Sequence, residues 1–389
     1  MGQSAEQRQS GFQTEVYRLF IGGEWVEPQT GLYFDDLNPA TGQVFARVAQ
    51  GGREDARLAV ECAAMSKAAW AATPPSQREA ILLRLAEEII QEQDRLIRIL
   101  MEESGSSYFK AVDEVNRTVN LVRGAAADCR HPLGQSLASD SQKWSFTRRK
   151  PIGVIAAITP WNFPLFLAAK KIALGLASGN TMVVKPASEA PAPTYVLAEL
   201  LHRAGLPAGV LNVVTGPGSE VGDELTVHPE TRLVSLTGSA ETGKRVAARA
   251  AGMFKRVSLE LGGKNPLIVL KDADLDYAAQ AVLFGAFQHQ GQNCMSIERV
   301  IVERPLAERL AEKVADAAQR LPIGDPQDHR NLLGPMINEA QRDIVHRHVT
   351  DAVQKGARLL TGGTYEGPYY RPTVLSGVTT DMEIFQEET

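Results

Sequence analysis

Cysteine is scarce: only Cys62, Cys129 and Cys294 occur in 389 residues. So odd and widely spaced a set offers no disulfide framework and suits a reducing compartment, which makes a cytoplasmic location the expectation. Basic charge is not in excess either. A formal net charge of −5 supplies no footprint for nucleic acid or for an anionic membrane surface. Apolar runs such as residues 152–158 are strand-sized, well short of the roughly 20 residues a membrane helix needs. Residues 1–15 are polar and lack the apolar centre of a secretory signal. Seven histidines are scattered without metal-ligand spacing, so no metal is expected. Of these, His346 and His348 read as solvated helix residues. Internal repeats and low-complexity tracts are missing, which excludes a solenoid. What is present, 44% hydrophobic and 22% charged, is enough to bury a large core divided into two or three domains.

The pattern changes character near Lys150. Before it, residues 75–104 carry leucine and isoleucine at three- and four-residue intervals among Glu, Arg and Gln, the signature of an amphipathic helix. Between residues 129 and 150 a polar, alternating segment containing Trp144 and Phe146 can form an exposed hairpin. Such an edge is an aggregation hazard unless paired, which points to a partner subunit. From Ile152 onward, short β-branched and aliphatic stretches at 152–159, 181–185, 210–214, 233–237 and 256–260 alternate with helical periodicity. That alternation predicts an α/β fold with a parallel sheet covered by helices, whose ligands collect at the carboxyl ends of the strands. There the chain places Pro160-Trp161-Asn162, Lys185-Pro186, Gly216-Pro217-Gly218, Gly238-Ser239 and Glu260.

Two glycine-rich stretches lie among these ends. Gly238-Ser239-Ala240-Glu241-Thr242-Gly243-Lys244-Arg245 nearly fits the phosphate-cradling loop of nucleotidases. Arg245, however, stands where a hydroxyl should hold magnesium, and no acidic strand end is available for the metal. Its physical core survives: small residues opening a helix let backbone N–H groups approach a pyrophosphate, although a tight strand-to-helix turn is the plain alternative. Gly216-Pro217-Gly218-Ser219-Glu220-Val221-Gly222 has one residue too many for a dinucleotide fingerprint and reads as a turn. Lys185 ends an apolar stretch that Pro186 terminates, so it either binds ribose or phosphate or is a solvated strand end. Ser188, three residues on, is a hydroxyl where a carboxylate would repel a 2′-phosphate.

Chemistry is carried by Gly291-Gln292-Asn293-Cys294-Met295-Ser296. A lone cysteine is ordinarily a small core hydrophobe, but Gln290, Gln292, Asn293 and Ser296 cannot all be buried cheaply without partners. Cys294 is therefore expected in a cleft as a thiol nucleophile. In Val257-Ser258-Leu259-Glu260-Leu261, period-two alternation sets Ser258 and Glu260 opposite the apolar residues. Gly262-Gly263 next to them suggests a close backbone approach, which favours Glu260 as a general base over a merely exposed carboxylate. Asn162 is either a turn former or an amide donor to an oxyanion.

Six motifs occur in the order and approximate spacing of one family: Pro160-Trp161-Asn162-Phe163-Pro164, Leu174-Gly175-Leu176-Ala177-Ser178-Gly179-Asn180-Thr181, Lys185-Pro186-Ala187-Ser188, Thr237-Gly238-Ser239, Leu259-Glu260-Leu261-Gly262-Gly263-Lys264 and Gly291-Gln292-Asn293-Cys294. From about Leu19 to the last residue the chain resembles the NAD(P)-dependent aldehyde dehydrogenase superfamily. The resemblance implies a Rossmann-like parallel-sheet domain with N-terminal helices (residues 1–128 and 151–260), an oligomerisation hairpin (129–150) and a second α/β catalytic domain (261–389). It implies Cys294 as the nucleophile that forms a thiohemiacetal and then a thioester, and Asn162 with the Cys294 backbone N–H as the oxyanion hole. Glu260 becomes the base that activates hydrolytic water. Cofactor contacts carry over to Thr159, Trp161, Lys185, Ser188, Gly238, Ser239, Gly243, Leu261 and Glu388, the last holding the nicotinamide ribose. Members preferring NAD often place glutamate at the position of Ser188, so NADP or dual use is favoured over strict NAD preference.

Members also continue past the position of Thr389, so the resemblance implies a truncated chain with an incomplete catalytic domain. Phe284-Gly285-Ala286-Phe287-Gln288-His289-Gln290-Gly291-Gln292 is similar to members acting on aromatic aldehydes such as benzaldehyde or vanillin. A semialdehyde-oxidising member is the nearest alternative and would call for a tunnel arginine, with Arg123 one candidate. A CoA-acylating relative would use Cys294 without Glu260 as hydrolytic base, and an inactive binding protein would use neither. The expected partners are a small-molecule aldehyde and further copies of the chain, as homodimer or homotetramer, with no nucleic acid and no membrane.

Overall fold

The computed structural model describes residues 14–131, 134–140 and 142–389. The polar N-terminal stretch, up to residue 13, lies outside the described residues, as do residues 132, 133 and 141 of the expected hairpin.

The chain opens with five short strands, β1 (Glu15–Tyr17), β2 (Leu19–Ile21), β3 (Glu24–Val26), β4 (Tyr33–Leu37) and β5 (Val44–Ala49). Four helices follow: α1 (Arg53–Ala72), α2 (Pro75–Gln91), α3 (Gln93–Ser104) and α4 (Tyr108–Asp128). The start of α1 is fixed by Asp55, which accepts the backbone N–H of Gly52 at 2.9 Å and thereby satisfies a first-turn donor. The single helix expected over residues 75–104 is two helices instead. Glu92 is both the last cap of α2 and the first of α3. No glycine or proline marks the break, and apolar periodicity continues across it.

A two-residue hairpin, β6 (Ser136–Leu137) with β7 (Ser145–Phe146), stands next and exposes Trp144 and Phe146. Then comes the alternating region: β8 (Val154–Ile158), α5 (Pro164–Ala177), β9 (Thr181–Lys185), α6 (Ala192–Arg203), β10 (Leu211–Val213), α7 (Asp223–Val227), β11 (Thr231–Gly238), α8 (Ala240–Ala251) and β12 (Arg256–Leu261). These strands form one sheet in the order β12-β11-β8-β9-β10-β2-β3, parallel from β12 to β10 and antiparallel where β2 and β3 extend it. Asn212 fixes the junction: its side-chain oxygen accepts the Gly22 N–H at 2.8 Å.

Alternation sorts the strand residues between two cores. Ile155, Ala157, Met182 and Val184 pack with Leu85, Ile99, Leu165, Ile172 and Leu200 from α2 to α6. Val154, Ala156 and Val183 pack with Ala56, Val60, Leu225 and Val246 from α1, α7 and α8. A sheet covered on both faces explains why β8 to β10 read as continuous apolar runs.

After β12 the elements are smaller. A parallel pair, β13 (Asn265–Val269) and β14 (Ile297–Val302), encloses α9 (Leu275–Phe287). It is followed by α10 (Arg304–Gln319), α11 (Glu339–Gln354), β15 (Arg358–Thr361), β16 (Tyr365–Glu366), β17 (Tyr369–Tyr370), β18 (Val374–Ser376) and α12 (Glu383–Gln386). The cores here are modest, centred on Val282, Leu310 and Val314 and on Ala352 and Met382. His348, expected to be solvated, is buried: its Nδ1 lies 3.0 Å from the Thr389 hydroxyl, because the last segment folds back over α11. Among the described residues, no helix is long and apolar enough to cross a membrane.

Candidate active site

A cleft of about 960 Å³ runs between the carboxyl end of the large sheet and the elements after β12. Pro160, Trp161 and Asn162 enter it from the end of β8, Gly238 and Ser239 from β11, and Glu260 and Leu261 from β12. Cys294 enters from the loop between α9 and β14, and Glu388 from the segment after α12. Eight of the twelve expected site residues thus share one cavity, although Glu260 and Cys294 lie on different elements.

The Cys294 loop has an unusual backbone. His289, Gln290 and Gly291 take φ of 53°, 60° and 78° in succession, a left-handed run that side chains other than glycine rarely adopt. Its polar residues hold that shape. Gln290 donates its amide to the carbonyls of Pro335 (2.7 Å) and Gly105 (3.1 Å). Gln292 accepts the Ile337 N–H at 3.0 Å. From β13, Asn265 donates to the carbonyl of Cys294 at 2.8 Å and to that of Ser296 at 3.1 Å. The sulfur itself is half-buried, 3.9 Å from the Asn293 side-chain oxygen. Burial, then the carboxylates Glu388 and Glu260, push its thiol above the usual range, while Lys170 opposes them.

Asn162 spans the cleft. Its Nδ2 donates to the Gln292 carbonyl at 3.0 Å, and its Oδ1 accepts the Phe163 N–H at 3.0 Å, leaving one amide hydrogen for a ligand. Glu388 lies against the chain at Gly262, where a Cβ would fall 1.5 Å from the carboxylate, so any other residue there would make the carboxylate shift. Burial first, then Glu298, raise the Glu388 carboxyl above its ordinary value.

The helix α8 opens on Ser239, whose hydroxyl accepts the Thr242 N–H at 3.3 Å. The earlier first-turn amides have no intrahelical acceptor, and the helix dipole favours an anion there. Gly243 sits one turn in, where a Cβ would meet Leu261 at 2.6 Å. Thr159 is buried with its hydroxyl unpartnered. This donor set and the close approach of backbone fit a pyrophosphate. Thr159, Lys185, Ser188 and Gly243 do not line the cleft itself, nor do Gly216, Pro217 and Gly218, so the five expected strand ends do not all converge there. Lys185 is buried and donates to the Pro186 carbonyl at 3.1 Å; burial pushes its ammonium below the usual range, opposed by Glu189. Ser188 is exposed, and so is Arg123, the candidate tunnel arginine.

One further group was not foreseen. Lys171, in the middle of α5, donates to the Ser235 hydroxyl at 2.9 Å. Burial pushes its ammonium down to about 8 against the opposing pull of Glu260. A lysine inside the otherwise apolar run 164–169 and 172–177 was the available signal.

The fold and the cleft define a nucleotide-binding α/β protein with a thiol, an amide donor and two carboxylates in its ligand crevice. The model of the aldehyde dehydrogenase family matches residues 25–389, and the chain belongs to that family. The chain is 41% identical over 378 residues to the vanillin dehydrogenase of Corynebacterium glutamicum, covering 96% of this chain and 78% of that protein. It is 38% identical over 376 residues to the NADP(+) succinate-semialdehyde dehydrogenase of Escherichia coli, again covering 96% and 78%. The crystal structure of betaine aldehyde dehydrogenase from Staphylococcus aureus in complex with NAD+ superposes with a TM-score of 0.93 at 32% identity, covering 96% of this chain and 76% of that one. The family's members are oxidoreductases acting on the aldehyde group, with NAD or NADP as cofactor.

Proposed function

We propose that the protein oxidises an aromatic aldehyde to the carboxylic acid with NAD or NADP. Carrying the reading is one observation: Cys294, Asn162, Glu260 and Glu388 line a single cleft beside the α8 turn. Cys294 attacks the aldehyde carbon, and the resulting oxyanion accepts hydrogen bonds from the free amide hydrogen of Asn162 and the Cys294 backbone N–H. A nicotinamide dinucleotide, when bound, would supply the acceptor for the hydride that the tetrahedral carbon loses as it becomes the Cys294 thioester. Ser239, Gly238 and Gly243 at the α8 turn would hold its pyrophosphate, with Thr159, Trp161, Lys185 and Leu261 around it and Glu388 on the nicotinamide ribose. Glu260 then takes a proton from water as that water attacks the thioester, which releases the acid. The placement of Glu260 in the cleft favours hydrolysis over transfer to CoA.

An aromatic substrate is supported by likeness to the vanillin enzyme and by Phe284-Gly285-Ala286-Phe287 ahead of the nucleophile loop. The likeness to a semialdehyde enzyme keeps that class as the second reading. Ser188 in place of a carboxylate removes one charge that would repel a 2′-phosphate, which supports NADP or dual use over strict NAD preference. The exposed Trp144 and Phe146 of the β6–β7 hairpin are the surface on which a second copy would pair. The test mixes the purified protein with benzaldehyde and either dinucleotide and follows absorbance of the reduced nicotinamide. Turnover without CoA, abolished by Cys294→Ala, is expected. Turnover only with succinate semialdehyde would select the second reading, and release only with CoA would sink hydrolysis.

A further inference from the structure

We infer that Lys110 and Glu114 of α4 are positioning residues, which set where the Asn162 amide stands relative to the Cys294 loop; the inference rests on the reading of Asn162 as an oxyanion donor. Both side chains are fully buried and form an ion pair. At i and i+4 on a helix they would pass for an ordinary surface pair. Burial changes the question, because two charges removed from water gain little net stability over apolar residues of the same volume, so packing alone gives no reason to keep them.

What they contact supplies the reason. Glu114 uses one oxygen for Lys110 and the other to accept the backbone N–H groups of Leu165 and Phe166, each at 3.0 Å. Pro164 at the head of α5 lacks an N–H and Phe163 makes no side-chain cap, so Glu114 is the cap of that helix. Asn162 lies directly before this start. Lys110 Nζ meanwhile lies 4.4 Å from the centre of the Phe163 ring. The His289 ring packs on Phe163 edge-on, with centroids 5.8 Å apart. His289 belongs to the nucleophile loop and is buried with neither ring nitrogen bonded. Burial and the Lys110 ammonium hold it neutral, well below its usual range. The pair therefore fixes the backbone that immediately follows Asn162 and, through Phe163, the loop that carries Cys294. Asn162 closes the circuit by donating to the Gln292 carbonyl.

The test is a cycle of K110M/E114Q, which removes both buried charges at nearly constant volume, with Asn162→Ala. Rapid mixing reads the first-turnover formation of reduced nicotinamide, cofactor affinity is measured by tryptophan quenching, and melting is followed in parallel. Asn162→Ala alone is expected to slow the first turnover about 10²-fold, the cost of one oxyanion donor. K110M/E114Q is expected to slow the same step by about tenfold to a hundredfold through misplacement, with cofactor affinity unchanged. Added to Asn162→Ala it should cost less than about twofold more, since residues acting as one unit are not additive. A wild-type first turnover in K110M/E114Q, or full multiplication of the two losses, overturns the inference. Failure of Asn162→Ala to slow the step would instead overturn the oxyanion reading. Should K110M/E114Q not fold, Lys110→Arg, which keeps the charge but not the ammonium geometry over Phe163, is read in the same assay. A slowed first turnover with intact cofactor binding then supports the inference and a wild-type rate overturns it.

Discussion

Strands β8, β9 and β10 are buried at every residue but Ile158, whereas β12 at the edge of the same sheet and β13 and β14 across the cleft have a single buried residue among them, Val269. The two walls are consequently stabilised in different ways. Asn162 and the α8 turn hang from a sheet packed on both faces by helices. The Cys294 loop is held instead by individual hydrogen bonds from Asn265, Gln290, Gln292 and Ser296. Substitutions in the core behind the first wall should be felt mainly as lost stability, and those in the Cys294 loop mainly as lost chemistry.

Glu260 tests that division hardest, because β12 is the edge of the packed sheet while Glu260 lines the same cleft as Cys294. Glu260→Gln is expected to leave the first turnover near wild type and to slow thioester hydrolysis by about 10²–10⁴-fold, the range of a lost general base. Burst and steady-state phases of the same progress curve report both steps. Equal loss of the two would mean that Glu260 acts in thiol activation, so that the boundary strand serves the first half-reaction as well.

The next contrast is one of stability. Ile172 of α5 is 1% exposed and Ile268 of β13 is 66% exposed. Ile172→Ala should cost about 2–5 kcal/mol, the range for a methyl-rich side chain removed from a closed core. Ile268→Ala should stay within about 0.5 kcal/mol. Urea midpoints at constant slope measure both, and comparable losses would erase the distinction between the walls.

How much of this was legible in the sequence follows from the same division. The alternating region after Ile152 stood out because interior parallel strands are continuous apolar runs, and Asn162, Ser239 and Glu260 could be placed at their ends. Strands β2 and β3 could not, since each has three residues, β2 pairs with the distant β10, β3 pairs with β2, and the turn between them is tied to Asn212 190 positions away. The break at Glu92 was hidden because helix propensity and periodicity run unbroken through it. His348 looked solvated because its cover, the segment ending at Thr389, comes from another element. The polar neighbours of Cys294 pointed to a cleft, which Cys294 lines, yet their side chains serve to hold the loop's backbone. Lys110 and Glu114 were the least visible, since only tertiary burial separates them from a solvated i,i+4 pair.

The smallest expected effect concerns the thiol. Cys294 is raised first by burial and next by Glu388, whose carboxylate rests against the bare backbone of Gly262. An anion near a thiol disfavours the thiolate, so removing it lowers the thiol pKa. Below that pKa the thiolate fraction, and with it the rate of alkylation, must then rise. Glu388→Gln should speed modification of Cys294 by iodoacetamide at pH 8 by less than about tenfold and move the alkylation profile to lower pH. Cys62 and Cys129 are raised by burial without Glu388 among the causes, so they serve as internal references that the substitution should leave unmoved. An unshifted Cys294 profile would mean that Glu388 and the sulfur do not sense one another across the cleft. The two groups would then be held independently in the cleft, and burial with the Glu260 carboxylate would account for the raised thiol.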